Sequence, residues 1–381
     1  MKLLFDHHLS RKLVARVADL FESSHVVMNS ISRLAAAHAA ARSLVASGRI
    51  PGVVVALAVG NRQPDICAVG SDADGRPLTP DDLFPVASIT KLATALAVLR
   101  LVDRGLIALD DPVDRFLYRE APHPGVTIRR LLCHTAGFSI DLSADDAPYE
   151  PGLTWEALGQ ACLQAKPRHQ PGTEVLYSNI GYGLLALVVE ACAGARFRDA
   201  LRDLVLTPLG IEGYLGEELP RAPARIADVR GRHRATALEP FNSVFWRSLA
   251  LPWAGLITNA AGALALVRAF RGYPPGFLSP PLRTAAVTDQ TGHLPGGFIE
   301  PLRWERCPWG LGPEVRGVKE PHWLPLSVGT DSFGHTGASG CLVWAAPGAD
   351  IAWAILGART ADNGWLLRHS RTISVAVAGE R

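Results

Sequence analysis

Strand-like runs stand at the two ends of this 381-residue chain, and helical patterns fill its middle. Near the start, residues 53–59 form an unbroken apolar run after the Pro51-Gly52 turn, and residues 65–69 follow the Asn61-Arg62 turn as its hairpin partner. Near the end, residues 309–312, 341–346 and 351–356 read as strands, the last two joined through Pro347-Gly348-Ala349-Asp350. Strands segregated from helices argue for an α+β fold with an antiparallel sheet flanked by helices, not for a doubly wound sheet. A sheet assembled from both ends leaves space for a mainly helical insert. The expected partition is an N-terminal extension at 1–27 and one domain at 28–381. Its α/β part takes about 28–110 and 305–381, and the insert about 111–304.

Helical spacing organises the middle. Residues 30–47, 91–103, 127–137, 155–165, 179–192, 195–209 and 260–271 read as helices, several closed by Gly or Pro. Asp110-Asp111-Pro112 is expected to open a short helix toward Tyr118, and residues 361–377 a closing one. Residues 138–154, with Asp141, Asp145 and Asp146, read as a solvated loop, and the Pro/Gly-rich residues 272–303 as another.

Residues 1–27 resemble the opening strand and helix of small PIN-like proteins, with Asp6 at the first acidic position. The remaining acidic residues of a nuclease site do not follow, so the segment reads as a fused remnant or an extended gene start. Asp6, His7, His8, Arg11 and Lys12 interrupt any apolar leader, and no run of about 18 uncharged apolar residues occurs. A cytoplasmic location is expected. A net charge of +2 leaves no electrostatic footprint for nucleic acid, and scattered arginines make no membrane-binding patch. The six cysteines lack Cys-x-x-Cys spacing and read as small buried hydrophobes rather than as metal or redox motifs.

The basic residues carry more information. Of 38, only five are lysines: Lys2, Lys12, Lys91, Lys166 and Lys319. Lys91 follows Ser88 by three residues where an apolar run turns helical, so both side chains share one helix face. A serine hydroxyl needs a base before it becomes a nucleophile. A desolvated lysine can be that base; arginine cannot. Ser88 also falls at the helix N-terminus, where free N–H groups favour developing negative charge.

Three motifs stand in order: Ser88-Ile89-Thr90-Lys91, Tyr177-Ser178-Asn179 and His335-Thr336-Gly337. With the flanks Leu83–Val86, Leu131-Leu132-Cys133-His134-Thr135-Ala136-Gly137 and Pro171-Gly172-Thr173, they resemble the serine β-lactamase and penicillin-binding-protein superfamily. The class C branch, with its family VIII carboxylesterases and D-aminopeptidases, is the most similar. The resemblance covers about residues 30–360. It implies a β-lactamase/transpeptidase-like fold, no metal and no organic cofactor. It makes Ser88 the acylated nucleophile, Lys91 its proton partner and Tyr177 the base, with a phenolate favoured by nearby cations. Asn179 would hydrogen-bond Lys91 and substrate amides. The backbone N–H groups of Ser88 and Ala338 would form the oxyanion hole.

The third motif departs from the family pattern. His335 stands where many relatives have lysine, ahead of Thr336 and Gly337, so a fixed cation becomes a ring that is mostly neutral near pH 7 and gains charge toward pH 6. That weakens recognition of a substrate carboxylate. The expected activity is therefore a serine hydrolase on small neutral esters. Rival readings are D-amino-acid amides or β-lactams, acyl transfer, and a catalytically silent binding module. His134 reads as a satisfied buried histidine rather than a base.

Overall fold

The computed structural model describes residues 32–118, 122, 124–298 and 301–378. The reading of residues 1–27 lies outside them. The sheet has six antiparallel strands: β1 (Gly52–Val59), β2 (Asp65–Gly70), β3 (Glu314–Val315), β4 (Phe333–Gly337), β5 (Cys341–Ala346) and β6 (Ile351–Gly357). Their order is β2-β1-β6-β5-β4-β3, so first and last strands pair at the centre, Val53 opposite Gly357 and Val59 opposite Ile351.

β1 lacks polar alternation because both faces of the sheet are covered. The main helices are α1 (residues 32–46), α2 (Thr90–Asp103), α3 (Ile128–Leu132), α4 (Trp155–Gln164), α5 (Asn179–Ala193), α6 (Ala260–Phe270), α7 (Pro280–Val287) and α8 (Arg371–Ala378). One sheet face carries small residues, Ala56, Ala58, Ala345, Ala352 and Ala354, which let α6 lie close on β1, β5 and β6. The other carries Leu57, Leu342, Trp344, Trp353 and Ile355 against α1 and α8. The period of two in each strand sorts small from large. α2 runs behind α6 with nearly every residue buried, as its all-round apolar sequence requires. Although α6 falls within residues 111–304, it joins the sheet layer.

Several local expectations are corrected. The helix expected over 127–137 ends at Leu132, because His134 adopts φ +60° and its carbonyl accepts from the Leu176 N–H at 2.8 Å. Asp110-Asp111-Pro112 opens only a single 3-10 turn, Val113–Arg115. Trp309 makes one bridge to Glu314 rather than starting a strand, since Gly312 turns the chain at φ +114°. Residues 272–303 contain α7, whose prolines stand at the first helical positions, where no N–H is needed. The His335 motif is the end of a strand, β4, which pairs with β5 along its length and with β3 at Phe333 and Gly334. Among the described residues no single helix is long and apolar enough to cross a membrane; α5 and the helical residues 197–206 pass only as a pair bent by 81°.

Candidate active site

The position of Ser88 starts with a short strand. Phe84–Pro85 pairs with Ile257–Thr258, and the Val86 N–H donates to the Leu256 carbonyl at 3.1 Å. Ala87 then takes φ +46°, a left-handed conformation that costs a residue with a Cβ about 1–2 kcal/mol. This sharp turn delivers half-buried Ser88 into a 3-10 turn, Ala87–Ile89, that runs into α2.

Lys91 sits one helical turn on and is fully buried. Its Nζ lies 3.3 Å from Ser88 Oγ, 2.6 Å from Asn179 Oδ1 and 3.0 Å from the Trp253 carbonyl oxygen. Burial drives its pKa well below the ordinary lysine value, and the Asp141 carboxylate opposes this only in part. Two threonines of α2 hold the segment that carries Trp253. Thr94 Oγ1 donates to the Pro252 carbonyl at 2.5 Å, and Thr90 Oγ1 accepts from the Leu256 N–H at 3.0 Å.

The second motif is a helix start. Ser178 caps α5, accepting from the Gly181 N–H at 3.2 Å and donating to the Ser139 carbonyl at 2.7 Å. Tyr177 and Asn179 therefore flank a fixed cap. The Tyr177 side chain lies near Ser88, and Lys91 Nζ stands 4.6 Å from its ring centroid. His134 and Phe298 pack against that ring, each at 4.5 Å between centroids. The expected phenolate is corrected here. Burial pushes the Tyr177 hydroxyl far above its ordinary value, the nearby Ser88 hydroxyl offsets only part of this, and Asp141 and Glu314 push it further up. Burial thus favours the neutral phenol of Tyr177.

β4 brings the third motif against the turn at Ser88. A Cβ on Gly337 would stand 2.2 Å from the Val86 carbonyl oxygen, so only glycine allows this approach. His335 and Thr336 are both buried, in register with Val343 and Leu342 of β5. His335 Nδ1 lies 2.6 Å from the Thr336 carbonyl oxygen and must donate to it, which leaves Nε2 as an acceptor with no protein partner. Burial is the main cause that lowers its pKa to about 4, which favours the neutral ring at pH 6. This runs against the expected gain of charge there.

Four features escape the sequence reading. Asp141, set aside as a solvated loop residue, accepts from Asn179 Nδ2 at 2.5 Å and thereby orients the Asn179 oxygen toward Lys91. The Trp253 contribution is a backbone oxygen. His134 is only half satisfied: Nδ1 accepts from the Ser178 N–H at 3.1 Å, while Nε2 is buried without a partner. Beneath the site, buried Glu314 accepts from Lys319 Nζ at 2.6 Å and contacts His322 Nε2 at 3.2 Å; Lys319 lies 5.4 Å from the Trp309 ring centroid, and that ring packs on His335. Among the described residues no group of three or more His, Cys, Asp or Glu is arranged to hold a metal.

The sequence profile named beta-lactamase matches residues 37–375. Penicillin-binding protein 4 of Amycolatopsis lactamdurans is 27% identical over 323 residues, covering 81% of this chain and 80% of that protein. Esterase EstB of Burkholderia gladioli is 32% identical over 258 residues, covering 57% of this chain and 64% of EstB. A solved beta-lactamase from Mycobacterium bovis aligns with a TM-score of 0.62 at 26% identity, over 88% of this chain and 97% of that one. Profile, relatives and fold agree, and the chain belongs to the beta-lactamase family.

Proposed function

We propose that this chain is a serine hydrolase that forms an acyl-enzyme on Ser88 and cleaves small neutral carboxylic esters. The observation that carries this is the hydrogen-bond count at Lys91. A neutral amine has two N–H groups and one lone pair. Two of its three partners, Asn179 Oδ1 and the Trp253 carbonyl, can only accept. In that neutral form both N–H groups go to them and the lone pair faces the Ser88 hydroxyl, 3.3 Å away, whereas an ammonium would donate to all three. Burial favours that neutral form.

Ser88 Oγ attacks the ester carbonyl carbon as its proton passes to Lys91 Nζ. The Ser88 and Ala338 N–H groups hold the resulting oxyanion. When the intermediate collapses, the leaving alkoxide takes the Tyr177 proton, and Lys91 restores it. Water then repeats the sequence on the acyl-enzyme, releasing the acid. Thr336 and Asn179 line the substrate, and an uncharged His335 offers no cation to a substrate carboxylate. The name of esterase EstB supports the ester reading.

A fluorophosphonate should add one phosphonyl group to the peptide containing Ser88, and Ser88→Ala should abolish both the label and the hydrolysis of p-nitrophenyl butyrate. Labelling elsewhere, or turnover that survives the substitution, rejects the mechanism.

A further inference from the structure

We infer that the cavity between α3 and residues 290–294 is a second small-molecule site, separate from the serine, and that it takes an oxyanion, either a carboxylate or a phosphate ester. The cavity has a volume of about 400 Å³, and none of Ser88, Lys91 and Tyr177 lines it. Two guanidinium groups and one carboxylate do, and the two arginines are not equivalent. Arg129 is committed: Nε and Nη2 donate to the two Asp110 oxygens at 2.8 Å, and Nη1 donates to Gln290 Oε1 at 2.7 Å. Arg130 is not. Its Nη1 donates to the Gly125 carbonyl at 2.8 Å, while Nε and Nη2 have no acceptor among the described residues. Gly172, at φ +84°, sets the place of this guanidinium, since a Cβ there would stand 2.8 Å from Nη2. Thr127 Oγ1 accepts from the Arg130 N–H at 3.3 Å and keeps its own proton for a ligand. The Cys133 thiol, pushed up to about 11 by burial, adds no charge. Asp289, beside the wall, has its oxygens turned to the Thr291 and His293 N–H groups. One planar cation with two free nitrogens and a hydroxyl beside it suits a carboxylate or phosphate head group. At about 30 Å³ per water-sized group, the cavity holds roughly thirteen heavy atoms.

The walls of this cavity end on the rings around Tyr177. Thr135 and Cys133 line it, and His134 between them packs on the Tyr177 ring at 4.5 Å. The Thr135 carbonyl accepts from the Gly172 N–H at 2.7 Å, and the His134 carbonyl from the Leu176 N–H at 2.8 Å, one residue before Tyr177. On the facing wall, the Gln290 N–H donates to the Trp309 carbonyl at 2.8 Å, and the Trp309 ring lies 5.8 Å from that of Tyr177. A ligand held by Arg130 therefore bears on the tyrosine without touching it, which couples the two sites.

The test is calorimetric titration with benzoate, phenyl phosphate and neutral benzamide. The parent protein should bind both anions saturably at one site, the tighter of the two identifying the preferred head group, and benzamide at least about tenfold more weakly. Protein already labelled at Ser88 by a fluorophosphonate should still bind them. Arg130→Met should weaken both anions at least about tenfold, and Arg130→Lys, which keeps the charge but loses the fork, should fall between. No binding of either anion, equal binding of benzamide, binding abolished by the Ser88 label, or affinity unchanged in a folded Arg130 variant overturns the site. Saturating phenyl phosphate should change the rate of Ser88 labelling at least about fivefold in the parent; an unchanged rate overturns the coupling to Tyr177. If Ser88 never labels, the hydrolase reading falls, while the titrations of the parent and the Arg130 variants still decide this site.

Discussion

Replacing Lys91 by arginine puts a permanent cation where the buried neutral amine stood and removes the proposed base. The lysine is fully buried, with three polar partners and the Tyr177 and Tyr182 rings within 5.6 Å of its amine. A guanidinium is larger and stays protonated, so it offers Ser88 no lone pair. Losing a positioned base costs about 10²–10⁴ in rate, or about 2.7–5.4 kcal/mol in the barrier. Overpacking adds about 1–3 kcal/mol against folding. The unbranched, uncharged Lys91→Met separates the two effects. It strands two carbonyl oxygens at about 1–3 kcal/mol but buries no charge. Both variants should lose the single-turnover burst of p-nitrophenol by at least about a hundredfold, and Lys91→Met should still melt cooperatively. If either folded variant acylates within tenfold of the parent, Lys91 is a structural cation and the hydrogen-bond count at its amine has been misread.

Glu314→Gln should cost about 3–5 kcal/mol in denaturant unfolding, because it leaves buried Lys319 without its counter-ion. The folded Glu314 carboxyl is held below its ordinary 4.5, so its contribution is present above that pH and is lost as the pH falls further; an acid unfolding curve unchanged by the substitution would count against this. With His335 titrating near 4, the ratio of kcat/KM for p-nitrophenyl hexanoate and the anionic p-nitrophenyl adipate half-ester should be flat from pH 6 to 8, and His335→Lys should shift it toward the anion by at least about tenfold. A ratio that changes with pH would place a titrating group at that position. Gly337→Val should reduce kcat/KM at least about a hundredfold, since its first side-chain carbon meets the Val86 carbonyl; a normal rate would mean the strand does not approach Ser88 as described.

Ser88 with Lys91, and Tyr177 with Asn179, are legible in the sequence because local geometry alone sets their spacing: one helical turn, and one helix cap. The paired strands at the two ends are legible because unbroken apolar runs announce burial on both faces. Asp141 is not, because its role lies in a hydrogen bond to a residue 38 positions away, made from a loop without periodicity. The Trp253 carbonyl is not, because every residue type carries the same backbone oxygen. The ionisation of Tyr177 and His335 is misjudged from motif neighbours. Desolvation governs their protons: Tyr177 packs among Phe298, Trp309 and His134, and His335 against Tyr177 and Trp309, residues from separate segments. The α7 prolines mislead for a different reason, since the same residue stops a helix in its interior and starts one at its first turn.

The pairing of β1 with β6 has a consequence for biosynthesis. At about 5–20 residues per second, the ribosome needs about 15–60 s after finishing β1 to supply β6. For that interval the β1–β2 hairpin presents an open apolar edge of the kind that recruits foreign strands. Ser88, Lys91, Tyr177 and Asn179 all emerge within it, but Gly337 and Ala338 arrive close to the end. A nascent or prematurely terminated chain thus carries the serine and its amine without the strand that completes the anion-binding corner. On the mechanism proposed here, capacity for acylation would come only once β4 and β6 have emerged, and nonsense truncations upstream of β6 should yield inert, aggregation-prone fragments rather than partly active enzymes.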